Sequence, residues 1–120
     1  MLKARQVFTD LTPEQVRDLL VSLENSHKKS ELRQYYKLQR VGNYFEDLAV
    51  LWKHECLSIE WIHDTVGGAV LTYWEKWSLY VTDGKTKQPT LYLNWANLAD
   101  KLRGYRLAED LRAYEAEHAS

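Results

Sequence analysis

Between Val41 and Val81 apolar residues return every three or four positions, the spacing of helices with one buried face. Val41, Phe45, Leu48, Trp52 and Cys56 form one stripe, which predicts a helix from about Ser30-Glu31 to Cys56. Gly42 lies beside that stripe. A mid-helix glycine costs roughly 1 kcal/mol against alanine, so close packing against another helix is expected there. Leu57-Ser58 breaks the pattern. Ser58 is placed to cap a short helix carrying Ile59, Trp61, Ile62 and Val66, and Gly67-Gly68 allows a turn or kink before the next. That helix runs to about Val81, with Val66, Val70, Tyr73, Trp74, Trp77, Tyr80 and Val81 on one face and Leu71 and Leu79 on the other. A helix apolar on two sides belongs at the centre of a bundle or at an interface.

The flanks extend the same pattern. Met1–Asp10 reads as a short helix or extended arm, residues 1–11, that Leu2, Val7 and Phe8 would dock onto the core. Thr12-Pro13-Glu14-Gln15 is a capping box with proline at the first helical position. It opens a helix carrying Val16, Leu19, Leu20 and Leu23 that fades near Asn25-Ser26. Thr82–Thr90, with Asp83-Gly84 and Pro89, reads as a loop. A β-hairpin across Asp83-Gly84 ranks below it, because Leu91, Trp95, Leu98 and Leu102 keep the helical period. Gly104 is expected to end that helix, and Arg106 to about Glu117 to form a last one bearing Leu107, Leu111 and Tyr114. The expected fold is one all-α domain over residues 1–120, an irregular bundle of four to six helices.

Composition adds the compartment. The 120 residues suit a single domain. Cys56 is the only cysteine, so no intrachain disulfide forms and a reducing, cytoplasmic setting is expected. The start MLKARQVF lacks the apolar core of a signal peptide, and no apolar run of about 18 residues predicts a membrane span. The net charge is −1, but residues 1–40 carry eight Lys/Arg against five Asp/Glu, while residues 41–80 carry two against six. A basic face is therefore expected in the first third.

That face has a location. Lys29, Arg33, Lys37 and Arg40 follow steps of four, four and three, and so share one side of a helix. Tyr36 lies among them and Tyr44 continues the stripe. Cations interleaved with aromatics suit an acidic protein surface, and also phosphates and stacked bases. Five tryptophans and eight tyrosines exceed what so small a core encloses. Some of Tyr36, Trp61, Tyr73, Trp77, Leu79 and Trp95 are expected on an exposed patch facing a partner, a second copy or a small apolar ligand. The residues assigned to partner binding are Arg33, Tyr36, Lys37, Arg40, Tyr44, Trp61 and Trp77.

Catalytic chemistry finds little support. There is no Gly-x-Ser-x-Gly, phosphate loop or dinucleotide fingerprint. The adjacent acids Glu46 and Asp47 point about 100° apart on a helix, so they form no acid–base dyad, and Glu46 is expected to cap or pair with a neighbouring helix. His54-Glu55-Cys56 with Glu60, His63 and Asp64 offers transition-metal ligands. The spacing fits no standard site, and Cys56 on the apolar stripe is expected as a buried thiol. No catalytic residue and no cofactor are assigned.

Tyr44-Phe45-Glu46-Asp47-Leu48-Ala49 leading into Leu51-Trp52, then Ile59-Glu60-Trp61, Gly67-Gly68, Tyr73-Trp74-Glu75 and Leu91–Leu98, resembles the bacterial domain of unknown function 4760 family. The resemblance implies an all-α fold in bacterial or prophage proteins and supplies no catalytic residues. Some proteins of that type carry a membrane segment ahead of the helical part; none is seen here, which implies a soluble role. The expected function is a non-enzymatic cytoplasmic interaction or regulatory protein of bacterial or phage origin. The alternatives are nucleic-acid binding through the basic stripe, and small-ligand or metal binding near His54, Cys56 and His63.

Overall fold

A computed structural model describes residue 7, residues 9–84 and residues 88–119. Among these the chain forms five helices and no strand: α1 (Pro13–Glu24), α2 (Lys29–Lys53), α3 (Ile59–Thr65), α4 (Gly67–Gly84) and α5 (Leu93–Glu117). The fold is all-α, and among the described residues no helix is long and apolar enough to cross a membrane.

Local chemistry sets most of the boundaries. The Gln15 amide donates to Thr12 Oγ1 at 3.1 Å and the Thr12 amide to Gln15 Oε1 at 2.9 Å, which completes the capping box of α1. Ser58 Oγ accepts from the Trp61 amide at 3.1 Å and starts α3. α2 stops at a turn in which Glu55 takes a left-handed conformation, φ 63°. The Glu55 amide returns to the Trp52 carbonyl and the Cys56 amide to the Leu51 carbonyl, a Schellman arrangement that elsewhere favours glycine. This turn carries Cys56 off the α2 stripe into solvent, so the expected buried thiol is exposed.

Three expected boundaries move. The break before α4 falls at Val66, and Gly67 and Gly68 are already helical. α4 runs to Gly84, so Thr82, Asp83 and Gly84 belong to its last turn rather than to a loop; residues 85–87 of that loop lie outside the described residues. α5 passes through Gly104 unbroken. No described glycine has a positive φ, so Gly104 lacks the left-handed geometry with which glycine ends helices. Asp100–Arg103 at 2.8 Å and Glu109–Arg112 brace the helix on either side.

Four helices enclose the core, adjacent in the order α1, α2, α5, α4, while α3 packs on α4 and α5. Val7 is fully buried in this core; Leu2 and Phe8 lie outside the described residues. Lys76 Nζ donates to the Leu11 carbonyl at 2.6 Å, tying the segment before α1 to α4. The centre is aromatic. Trp95 stacks on Phe45 at 5.0 Å and meets Trp74 at 5.1 Å, and Trp77 meets Tyr92 at 5.5 Å. Such pairs contribute about 0.5–1.5 kcal/mol each beyond their buried area. Trp95 Nε1 donates to the Val70 carbonyl at 3.2 Å.

The start of α5 is held by α2. Tyr92, its N-cap, is left-handed with φ 50° and provides no side-chain cap. Its ring lies over Gly42, where an added Cβ would come within 2.8 Å of the phenol. Its hydroxyl donates to Asn43 Oδ1 at 2.9 Å. Glu46 accepts from the Trp95 amide at 2.9 Å and from Asn94 Nδ2 at 2.8 Å, completing the cap from another helix.

Candidate functional site

α2 separates two chemistries around its circumference. Gln34, Leu38, Gly42, Phe45, Leu48 and Ala49 turn into the bundle. Lys29, Arg33, Tyr36, Lys37, Arg40 and Tyr44 all lie on the exposed side. At 1.5 Å per residue, the stripe from Lys29 to Tyr44 is about 22 Å long.

The cations on this stripe are not neutralised. Among the described residues no ion pair involves Lys29, Arg33, Lys37 or Arg40; the neighbouring Glu31 is paired with Lys28 at 3.8 Å. Asp47, exposed one turn beyond Tyr44, is the acid that closes the stripe. Tyr36 and Tyr44 are 57% and 56% exposed, so both rings offer contact area.

An apolar groove of about 410 Å³ runs alongside, lined by Arg40, Val41, Tyr44, Phe45, Val66, Ala69 and Tyr73. Arg40 and Tyr44 belong to both features, so the cationic stripe and the groove form one surface. Edge contacts of Tyr44 with Phe45, 5.2 Å, and a tilted contact of Phe45 with Tyr73, 5.2 Å, make the groove floor aromatic. Such a surface is complementary in chemistry to one that is apolar along one line and acidic beside it.

Of the residues assigned to partner binding, Arg33, Tyr36, Lys37, Arg40 and Tyr44 come together here. Trp61 is half exposed but stands on α3. Trp77 does not reach this surface: it is 1% exposed, with its ring against Tyr80, Tyr92 and Trp95. Its helix lies between α1 and α5, which cover the tryptophan face. Trp95 is likewise fully buried, and Tyr73 and Leu79 are half-buried.

The metal alternative does not assemble. His54 and Cys56 sit exposed on the turn after α2, while His63 Nδ1 bonds the Asp64 carboxylate at 3.0 Å and its ring packs on Tyr105. Among the described residues no group of three or more His, Cys, Asp and Glu is placed to hold a metal ion.

One concavity lay outside the sequence-based expectations. A cavity of about 330 Å³ opens between α1, α2 and α4, lined by Glu24, Tyr35, Gln39, Trp77, Tyr80 and Asp83 among others. Tyr80 donates to Glu24 Oε2 at 2.9 Å, and the Tyr35 hydroxyl lies 3.1 Å from that of Tyr80. Burial holds the Tyr80 phenol well above its ordinary range, and its bonds to Tyr35 and Glu24 push the same way. Tyr35 is also raised by burial, against the opposing effect of its bond to Tyr80. The three helices contribute one polar residue each, at separations of 45 and 56 positions, so no local pattern could reveal the chain.

Residues 1–102 match a family model described as "Domain of unknown function (DUF4760)". No curated protein and no solved structure matches.

Proposed function

The chain belongs to the DUF4760 family, and from that premise we propose that it is a non-enzymatic interaction protein that captures an acidic protein partner on the outer face of α2. The observation that carries this reading is the run of Lys29, Arg33, Lys37 and Arg40, exposed and without ion pairs among the described residues. Unpaired charge on a helix face steers encounter with an oppositely charged surface and rejects like-charged ones. Tyr36, Tyr44 and the adjoining groove supply apolar anchoring. The partner is an amphipathic acidic segment, its apolar line in the groove and its carboxylates on the stripe. A cytoplasmic role in a bacterium or its phage agrees with the single cysteine.

The test compares tagged wild-type protein with Arg33→Glu/Lys37→Glu and Tyr36→Ala in nuclease-treated pull-downs from the native host. The expected result is one acidic protein in stoichiometric yield, lost with the charge reversal. Tyr36→Ala should weaken capture by at least about 1 kcal/mol. The substituted side chains are exposed, so circular dichroism and melting should match wild type. Equal capture by the reversed variant would sink the proposal. Nucleic acid that elutes with the protein, and takes every other band with it on digestion, would replace it with recognition of phosphates and bases by the same stripe.

A further inference from the structure

Past Tyr105, whose ring packs on His63 at 4.8 Å, α5 leaves the bundle. Every residue from Arg106 to Glu117 is exposed except half-buried Glu109, and the molecule measures 64 × 31 × 25 Å along its principal axes. Leu107, Leu111 and Tyr114 are 71%, 56% and 58% exposed. They share one face with Gly104 and His118, at steps of three, four, three and four, the spacing of a two-helix seam. At 100° per residue this face lies about 165° around the helix from the face of Trp95, Leu98 and Leu102 that fills the core. The apolar stripe therefore changes sides at Gly104, so the second half faces away from its own bundle. Residues 103–120 also lie outside the family match.

We infer that this free half of α5 pairs antiparallel with the same segment of a second copy of the chain. Charge and size both point to that occupant and that direction. Along the seam's flanks, Lys101 and Arg103 precede the apolar residues, while Asp110, Glu115 and Glu117 lie among and beyond them. In an antiparallel pair that sets Leu107 against Leu111 of the second copy, Lys101 meets Glu115 and Arg103 meets Glu117, each twice by symmetry. The one like-charge contact is Asp110 with its own copy. A parallel pair instead sets Asp110 beside Glu115 on both sides and leaves the basic residues facing alanine, so charge selects the antiparallel direction. Size agrees: the antiparallel register places Tyr114 opposite Gly104. A Cβ at Gly104 would meet nothing within 4 Å, so the helix surface there is open to receive a ring. Tyr114 is stacked on His118 at 4.0 Å, which presents the two rings together.

Sedimentation velocity over a range of concentrations, on the full chain, tests the pairing. Wild type should form a dimer, and Leu111→Glu should be monomeric with unchanged helicity. Lys101→Glu/Arg103→Glu and Glu115→Lys/Glu117→Lys should each weaken the dimer at least about tenfold alone, a loss of ~1.4 kcal/mol. Mixed in equal amounts, the two variants should recover a dimer, because the four contacts of positions 101 with 115 and 103 with 117 then all join opposite charges, leaving only the Asp110 contact, as in wild type. A wild type that stays monomeric throughout overturns the inference, as does a dimer indifferent to Leu111→Glu. Failure of the mixture to recover, with both variants helical, overturns the antiparallel direction.

Discussion

Gly42 is the residue whose replacement the packing resists most. It lies in the middle of α2, where alanine would otherwise favour the helix by about 1 kcal/mol. The phenol of Tyr92 stands where the methyl group would go, at 2.8 Å. That ring cannot retreat freely, because it is buried and its hydroxyl is bonded to Asn43. Gly42→Ala should therefore destabilise the protein by about 1–3 kcal/mol, the cost of overpacking, as measured by urea unfolding. The need for close packing beside the Phe45 stripe was legible from a glycine inside a helical period; the ring that fills the space was not. The same division holds elsewhere. Thr12 and Ser58 declare their helix starts because a cap and its amides are three residues apart. Glu55 ends α2 without the glycine that usually marks such a turn, and so Cys56 read as a stripe residue.

α5 shows how a helix can look like two. Leu98, Leu102, Leu107 and Leu111 contain a step of five, which breaks the period at a glycine. The backbone nevertheless continues, because strong helix formers flank Gly104 on both sides and the Asp100–Arg103 and Glu109–Arg112 pairs span the region. The step of five marks a change of face rather than an end. An added methyl at Gly104 meets no neighbour, so Gly104→Ala should raise stability by roughly 0.5–1 kcal/mol, seen as a higher melting temperature at a protein concentration that keeps the chain monomeric. α2 was more legible, since its polar and apolar stripes keep one phase from end to end. That constancy brings Arg33, Tyr36, Lys37, Arg40 and Tyr44 onto one surface.

For the whole molecule, the aromatic residues divide by position in the ring of four helices. Periodicity located Trp77 on an apolar face but could not tell whether another helix covered that face, and α1 and α5 do. Helix adjacency depends on loop paths and size matching that a single sequence leaves implicit. It also determines behaviour at high pH. Burial raises the Tyr80, Tyr35 and Tyr92 phenols above the value of about 10 they take in the unfolded chain. Stability from this source is complete below about pH 10 and falls as pH rises beyond it, because the unfolded chain releases those protons first. Melting temperature followed against pH should be insensitive to these phenols below that value and decline above it. An absorbance titration should show a class of phenols ionising only as the chain unfolds. Tyr80→Phe should flatten the decline.

The Glu46 contacts carry a consequence for how the chain reaches this state. Tyr92 holds a left-handed conformation that costs about 1–2 kcal/mol, and α5 has no side-chain cap of its own. The groups that compensate, Gly42, Asn43 and Glu46, precede it by 46 to 50 positions. The first turn of α5 is thus unstable until it meets finished α2, whereas α1 and α3 carry their own starts. During synthesis α2 leaves the ribosome before α5 is made, so the emerging segment finds its cap already built. A rearrangement placing residues 91–117 ahead of α2 would keep every final contact and lose that order of assembly.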